Sequence, residues 1–175
     1  PAADVLGDFI QSLQNQSTGS SSDTFCCIAE SPADFDAGRY IVRNLLAVEP
    51  GTKNVTVAEY VRPGLYVTFG RRSPKGARRS FRRMLERLNA SFSSRVPRAA
   101  VIFNCCARGQ TLYGRPHVDI DAYHEFFPEL PLVGLFGFSE IGPIFWDGRK
   151  VRSGILNHTA VLTVLTEPME ALGTT

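Results

Sequence analysis

The stretch that most constrains this sequence runs from Ser73 to Ser93, where a long helical apolar period stands between runs that read as strands. Ser73 offers a capping hydroxyl and Pro74 a preset first-turn residue. Ala77, Phe81, Met84, Leu85, Leu88 and Phe92 then recur every three or four residues as one stripe, while Arg78, Arg79, Arg82, Arg83 and Arg87 crowd the other face. Such a helix must bury its stripe against something, and the flanking strands supply the partner. Thr24–Ala29, Arg39–Val48, Asn54–Tyr60 and Leu65–Gly70 read as short strands, the last three as an antiparallel meander punctuated by Pro50-Gly51 and Arg62-Pro63-Gly64. Pro97 separates the long helix from Ala99–Cys106, a strand expected to be buried on both sides. A second helix over His117–Phe127 stops at Pro128. Leu130–Ile144 and Gly154–Thr166 read as apolar strands around a hairpin turn at Trp146-Asp147-Gly148-Arg149. A short amphipathic helix at 4–14, with Val5, Phe9, Ile10 and Leu13 on its apolar face, and a polar loop at 16–23 precede a core over 24–166. The expectation is α+β: a single domain over 1–175, with a mostly antiparallel sheet and a long amphipathic helix packed on it.

Composition narrows the function classes. At 175 residues, with 43% hydrophobic and 21% charged residues, the chain suits one globular core. A net charge of +2 is too mild to signal nucleic-acid binding. Apolar runs are strand-sized, so no membrane partner is expected. The four cysteines form two adjacent pairs, Cys26-Cys27 and Cys105-Cys106, whose geometry disfavours mutual bridging. They read as buried free thiols in a reducing, cytoplasmic setting.

Three segments carry candidate chemistry. In Phe103-Asn104-Cys105-Cys106-Ala107-Arg108-Gly109 a strand ends and presents a thiol, a guanidinium and a flexible glycine. In Pro131–Pro143 one carboxylate, Glu140, stands in an apolar, glycine-punctuated run, where burial is costly without a partner. Leu156-Asn157-His158-Thr159 is a polar step at the start of an apolar strand.

Phe103-x-Cys105-x-x-Arg108-Gly109, Pro131-Leu132-x-Gly134-x-Phe136-x-x-x-Glu140-Ile141-Gly142-Pro143 and Asn157-x-Thr159 resemble, in order and spacing, the FIST C-terminal domain. Tyr40-x-x-Arg43, Arg71-Arg72-Ser73-Pro74 and the opening Pro1-Ala2-Ala3 are similar to it too. Ala107 and Ser139 stand where that family usually has glycine, which restricts the backbone at those turns. The resemblance implies the second half of a two-part sensory module whose partner is an N-terminal FIST half. It implies a role in signal transduction by binding a small ligand such as an amino acid. The stretch Val118–Gly142 is also similar to the FIST region of an animal F-box protein, which implies the alternative of recruiting protein substrates to a ubiquitin ligase.

Under the sensing reading the ligand-binding residues are Tyr40, Arg43, Cys105, Arg108, Gly109, Glu140, Asn157 and Thr159. Arg108 and Glu140 would hold the charged ends of an amino acid, Gly109 and Gly142 would let the protein backbone approach it closely, and Asn157 and Thr159 would add hydrogen bonds. The competing reading is that Arg108 and Glu140 pair with each other or cap backbone groups as structural glue. Tyr40 and Arg43 line the same cavity or face solvent. No enzyme is expected: Cys105 lacks a recognised base motif, with His158 the only candidate partner. His117, His124 and His158 have no metal-ligand spacing, and no cofactor is selected, although haem is linked to some family members and one histidine or Tyr113 would be its ligand. Asp119 and Asp121 are expected near a helix start, favoured by the dipole. The arginine face reads as a solvated helix surface, with an acidic partner as the rival.

Overall fold

The computed structural model describes residues 2–14, 24–49, 51–145 and 151–168. The expected loop at 16–23 and the turn at 146–149 lie outside the described residues. Those residues fall into two compact units interleaved along the chain: 1–72 with 141–157, and 73–140 with 158–175.

The first unit contains α1 (Ala2–Gln14), β1 (Thr24–Ala29), α2 (Pro32–Ala37), β2 (Ile41–Glu49), β3 (Asn54–Val57) and β4 (Tyr66–Arg71). Its main sheet has the order β3-β2-β1-β4 with antiparallel pairings throughout. β4 therefore pairs with β1 rather than continuing a meander from β3, because the short β1 is an apolar strand that needs a neighbour on each edge. Cys26, Cys27, Ile28 and Ala29 are all buried at this central position. Burial pushes the thiol of Cys26 up to about 11 and that of Cys27 to about 12, so both stay protonated and pack as small hydrophobes. Leu6, not Val5, is the buried residue of α1, joined by Phe9 against Phe69 with ring centroids 6.5 Å apart. α2 was not foreseen: Pro32 starts it and Gly38, in the left-handed conformation at φ 72, ends it.

The second unit is built on α3 (Pro74–Ala90), β5 (Arg95–Cys105), α4 (Gln110–Tyr113), α5 (Val118–Phe126), β6 (Leu132–Gly137) and β9 (Ala160–Pro168), whereas β7 (Glu140–Phe145), past Glu140, and β8 (Val151–Leu156) belong to the first unit. β7 and β8 pair with each other. The sheet order is β6-β5-β9, with β5 parallel to β6 across the α4–α5 connection and antiparallel to β9. Ser73 caps α3 by accepting a hydrogen bond from the Gly76 N–H at 3.2 Å. Phe81 and Leu85 of α3 join Ala100, Ile102, Tyr123, Phe127 and Leu130 in one core. Burying each such large side chain stabilises by about 1.5–3 kcal/mol.

Four strand expectations are corrected here. Pro97 lies inside β5 at a register shift rather than before it, which removes a ladder donor where the pairing is already irregular. Leu130–Ile144 is two strands, β6 and β7, broken at Phe138-Ser139. Gly154–Thr166 is likewise broken at Asn157–Thr159, where His158 takes φ 58. β5 is buried on one face only: Ala100, Ile102 and Asn104 face the helices, while Phe103 on the opposite face is exposed.

Candidate functional site

The C-terminal end of β5 is where the second unit gathers its polar side chains. The Cys105 N–H donates to the Thr159 carbonyl at 3.0 Å, the Cys106 N–H to the Gly137 carbonyl at 2.7 Å, and the Arg108 N–H to the Cys105 carbonyl at 2.8 Å. These bonds bring the end of β5, the end of β6 and the entry to β9 together. Gly109 follows at φ 66 and ψ −146, a region essentially reserved for glycine, and a Cβ there would meet the Phe136 ring at 3.1 Å.

Two clusters share this end. In the first, Glu140 is only 2% exposed. Its Oε2 accepts a hydrogen bond from the Thr159 hydroxyl at 2.8 Å, while Oε1 has no hydrogen-bond partner among the described residues. Burial raises its pKa, opposed by hydrogen bonds from the Thr159 side chain and backbone and from the Cys105 thiol, and then by the charge of Arg108. Cys105 is buried too, and burial raises its pKa against two backbone N–H groups, of Ala107 and His158. It is therefore a thiol at neutral pH, the wrong form for a nucleophile. Cys106, expected to be buried, is exposed.

In the second cluster Arg108 does not pair with Glu140. It grips Asp119, through Nε to Oδ2 at 3.0 Å and Nη2 to Oδ1 at 2.9 Å. Nη2 also donates to the Tyr113 hydroxyl at 2.7 Å, which donates onward to Asp119 Oδ1 at 2.7 Å. Asn104 Nδ2 adds a 3.3 Å bond to Asp119, and its own Oδ1 is buried without a partner. The guanidinium carbon lies 5.6 and 5.8 Å from the ring centroids of Phe81 and Tyr113. Burial also pushes the Tyr113 hydroxyl pKa well up, so it remains a donor.

Of the expected site residues, the structure brings together Cys105, Arg108, Gly109, Glu140 and Thr159. Tyr40, Arg43 and Asn157 belong to the first unit. There the buried Arg43 holds Glu59 through Nη2 at 2.7 Å and the Val42 carbonyl through Nη1 at 2.9 Å, so its guanidinium is structural. Tyr40 packs its ring against Phe35 at 5.8 Å. Asp119, Tyr113 and Asn104 were missed. Asp119 shares a helix face with Ala122, Tyr123 and Phe126, and an acid on an apolar stripe was the signal that it is buried rather than placed for the dipole.

Two depressions border this unit. One of about 180 Å³ between α3 and α5 has Phe81, Val118 and Asp119 among its lining residues, with Arg78, Arg82 and Arg115 around them. The other, about 730 Å³, follows the outer face of α3. Among the described residues, no helix is long and apolar enough to cross a membrane.

Comparison with known proteins places this geometry in a family. The chain is similar to an uncharacterized protein of Mycobacterium bovis, 32% identical over 133 residues that make up 76% of this chain and 33% of the relative. It is also similar to an uncharacterized protein of Mycobacterium tuberculosis, 30% identical over 107 residues, 61% of this chain and 28% of that protein. The chain thus spans about a third of the length of the curated relatives it matches. The family model of the FIST C domain matches residues 2–143, so this chain belongs to the FIST C domain family.

Proposed function

We propose that the chain is the ligand-reading part of a sensory module in a signalling protein, and that the ligand is a small molecule with an ammonium or other strong donor group, such as an amino acid. The observation that carries this reading is Glu140: a carboxyl group 2% exposed, held on one oxygen by Thr159, with the other oxygen accepting no hydrogen bond among the described residues. A buried acceptor left open is costly, and a donor from a ligand removes that cost. Arg108 is not a ligand clamp in this reading. It fixes Asp119, Tyr113 and Asn104 behind the site, and its charge favours the ionised form of Glu140 once a cation arrives. Cys105 supplies a thiol donor and no nucleophile, so binding without turnover is the function proposed.

The sign of the pH dependence follows. Burial holds the Glu140 pKa above its ordinary carboxylate value. A cationic ligand prefers the ionised carboxylate, so its affinity rises as pH rises through that elevated pKa and then levels off. Titration calorimetry of amino acids against the protein across pH should show this rise. Glu140→Gln should weaken binding at least tenfold and flatten the profile. Unchanged affinity in Glu140→Gln sinks the site.

A second reading, recruitment of a protein, is favoured by one observation. The face of the β6-β5-β9 sheet opposite α3 exposes Phe103, Val133, Leu135 and Leu165, with Val133 66% and Leu135 57% exposed. A contiguous apolar sheet face marks an interface. Its occupant in this reading is the remaining two thirds of a parent protein like the relatives, where an N-terminal FIST half would sit; a ubiquitin-ligase substrate is the alternative occupant.

A further inference from the structure

The charge of this molecule is distributed against its own stability along α3. Lys75, Arg78, Arg79, Arg82, Arg83 and Arg87 face a single acid, Glu86, which leaves one helix at +5 in a chain whose total is +2. Lys75–Arg79, Arg78–Arg82, Arg79–Arg83 and Arg83–Arg87 are like-charge pairs four residues apart, and such pairs repel on a helix surface. Lys75 sits in a first turn that contains no acid, opposing the helix dipole. Only part of this charge is absorbed within the unit: Arg82 pairs with Glu125 at 2.5 Å, and the Arg78 guanidinium lies 5.5 Å from the Tyr113 ring centroid. Lys75, Arg79, Arg83 and Arg87 form no ion pair among the described residues. Pro74, Lys75, Arg78, Arg79, Arg82, Arg83 and Glu86 border the shallow 730 Å³ depression.

We propose that this face docks an acidic peptide segment of a partner protein, a role separate from the Glu140 site. Arginine forks match carboxylates two bonds at a time, which suits side chains spaced along a peptide. From Lys75 to Arg87 the helix rises about 18 Å, the span of five or six extended residues. A membrane does not fit, since the apolar stripe of α3, led by Phe81 and Leu85, is buried in its own core and leaves nothing to insert. Nucleic acid fits less well: no aromatic side chain interleaves with the arginines to stack bases, and Glu86 interrupts the track a continuous phosphate backbone would follow.

Fluorescence anisotropy tests this with a fluorescein-labelled hexapeptide of alternating Asp and Gly, a short DNA duplex, and phosphatidylserine vesicles, each titrated with the full chain. The expected result is saturable peptide binding that exceeds duplex and vesicle binding and fades at about 0.5 M salt. It should be at least tenfold weaker in Arg79→Gln/Arg83→Gln with an unchanged circular dichroism spectrum, and intact in Glu140→Gln. Absence of saturable peptide binding, equal binding by the double variant, or tighter capture of duplex or vesicles overturns the proposal.

Discussion

Arg108 shows how a buried cation is tolerated. Its Nε and Nη2 donate to Asp119 and Tyr113, the rings of Phe81 and Tyr113 lie close by, and Asp119 in turn accepts from Asn104 and Tyr113. Removing Asp119 leaves the Arg108 guanidinium charged and buried without its counter-ion. Asp119→Ala should therefore cost about 3–5 kcal/mol, read as a shift in the urea midpoint. A loss under about 1 kcal/mol would mean water reaches the guanidinium freely. Glu140 lies at the other extreme, a carboxyl with one oxygen satisfied and one open. Side by side, one buried acid has both oxygens hydrogen-bonded within the protein and the other has one.

At the level of elements, α3 is the helix whose surface works against its fold. Arg79→Gln/Arg83→Gln removes three like-charge neighbours four residues apart and should raise stability by about 1 kcal/mol at low salt, visible as a higher melting temperature. An unchanged or lower melting temperature would show that the arginines are already compensated. α3 was also the most legible element in the sequence, because cap, Pro at the first turn and apolar period all agreed. α2 was not, since six residues are too few to display a helical period. The break of 130–144 into β6 and β7 was hidden for another reason: apolar residues continue across Phe138-Ser139, and only pairing partners reveal that the two halves join different sheets. The site was legible in the same uneven way. Glu140 announced itself as a lone acid in an apolar run. The partner of Arg108 was legible only in part: Asp119 stands on the apolar stripe of α5, but its place at a helix start already had a sufficient explanation in the dipole, and packing shows that it is buried.

For the molecule as a whole, the sheet face of Phe103, Val133, Leu135 and Leu165 is an exposed apolar surface of the kind that marks an interface. Val133→Lys/Leu135→Lys should leave the stability of the chain within about 0.5 kcal/mol, as exposed positions do. In a pull-down against a separately expressed remainder of the parent protein, the same variant should lose at least tenfold in recovery. Equal recovery would assign the contact to another face.

The interleaving of the two units has a consequence for descent. The polypeptide passes from the first unit to the second at 72–73, returns at 140–141, and leaves again at 157–158. Neither unit is therefore a contiguous cassette. A recombination event at any one of these junctions severs strands β7 and β8, or strand β9, from the residues they accompany. Shuffling can pass this module between proteins only as an indivisible block, so the Glu140 cluster and the arginine face of α3 are inherited together or not at all.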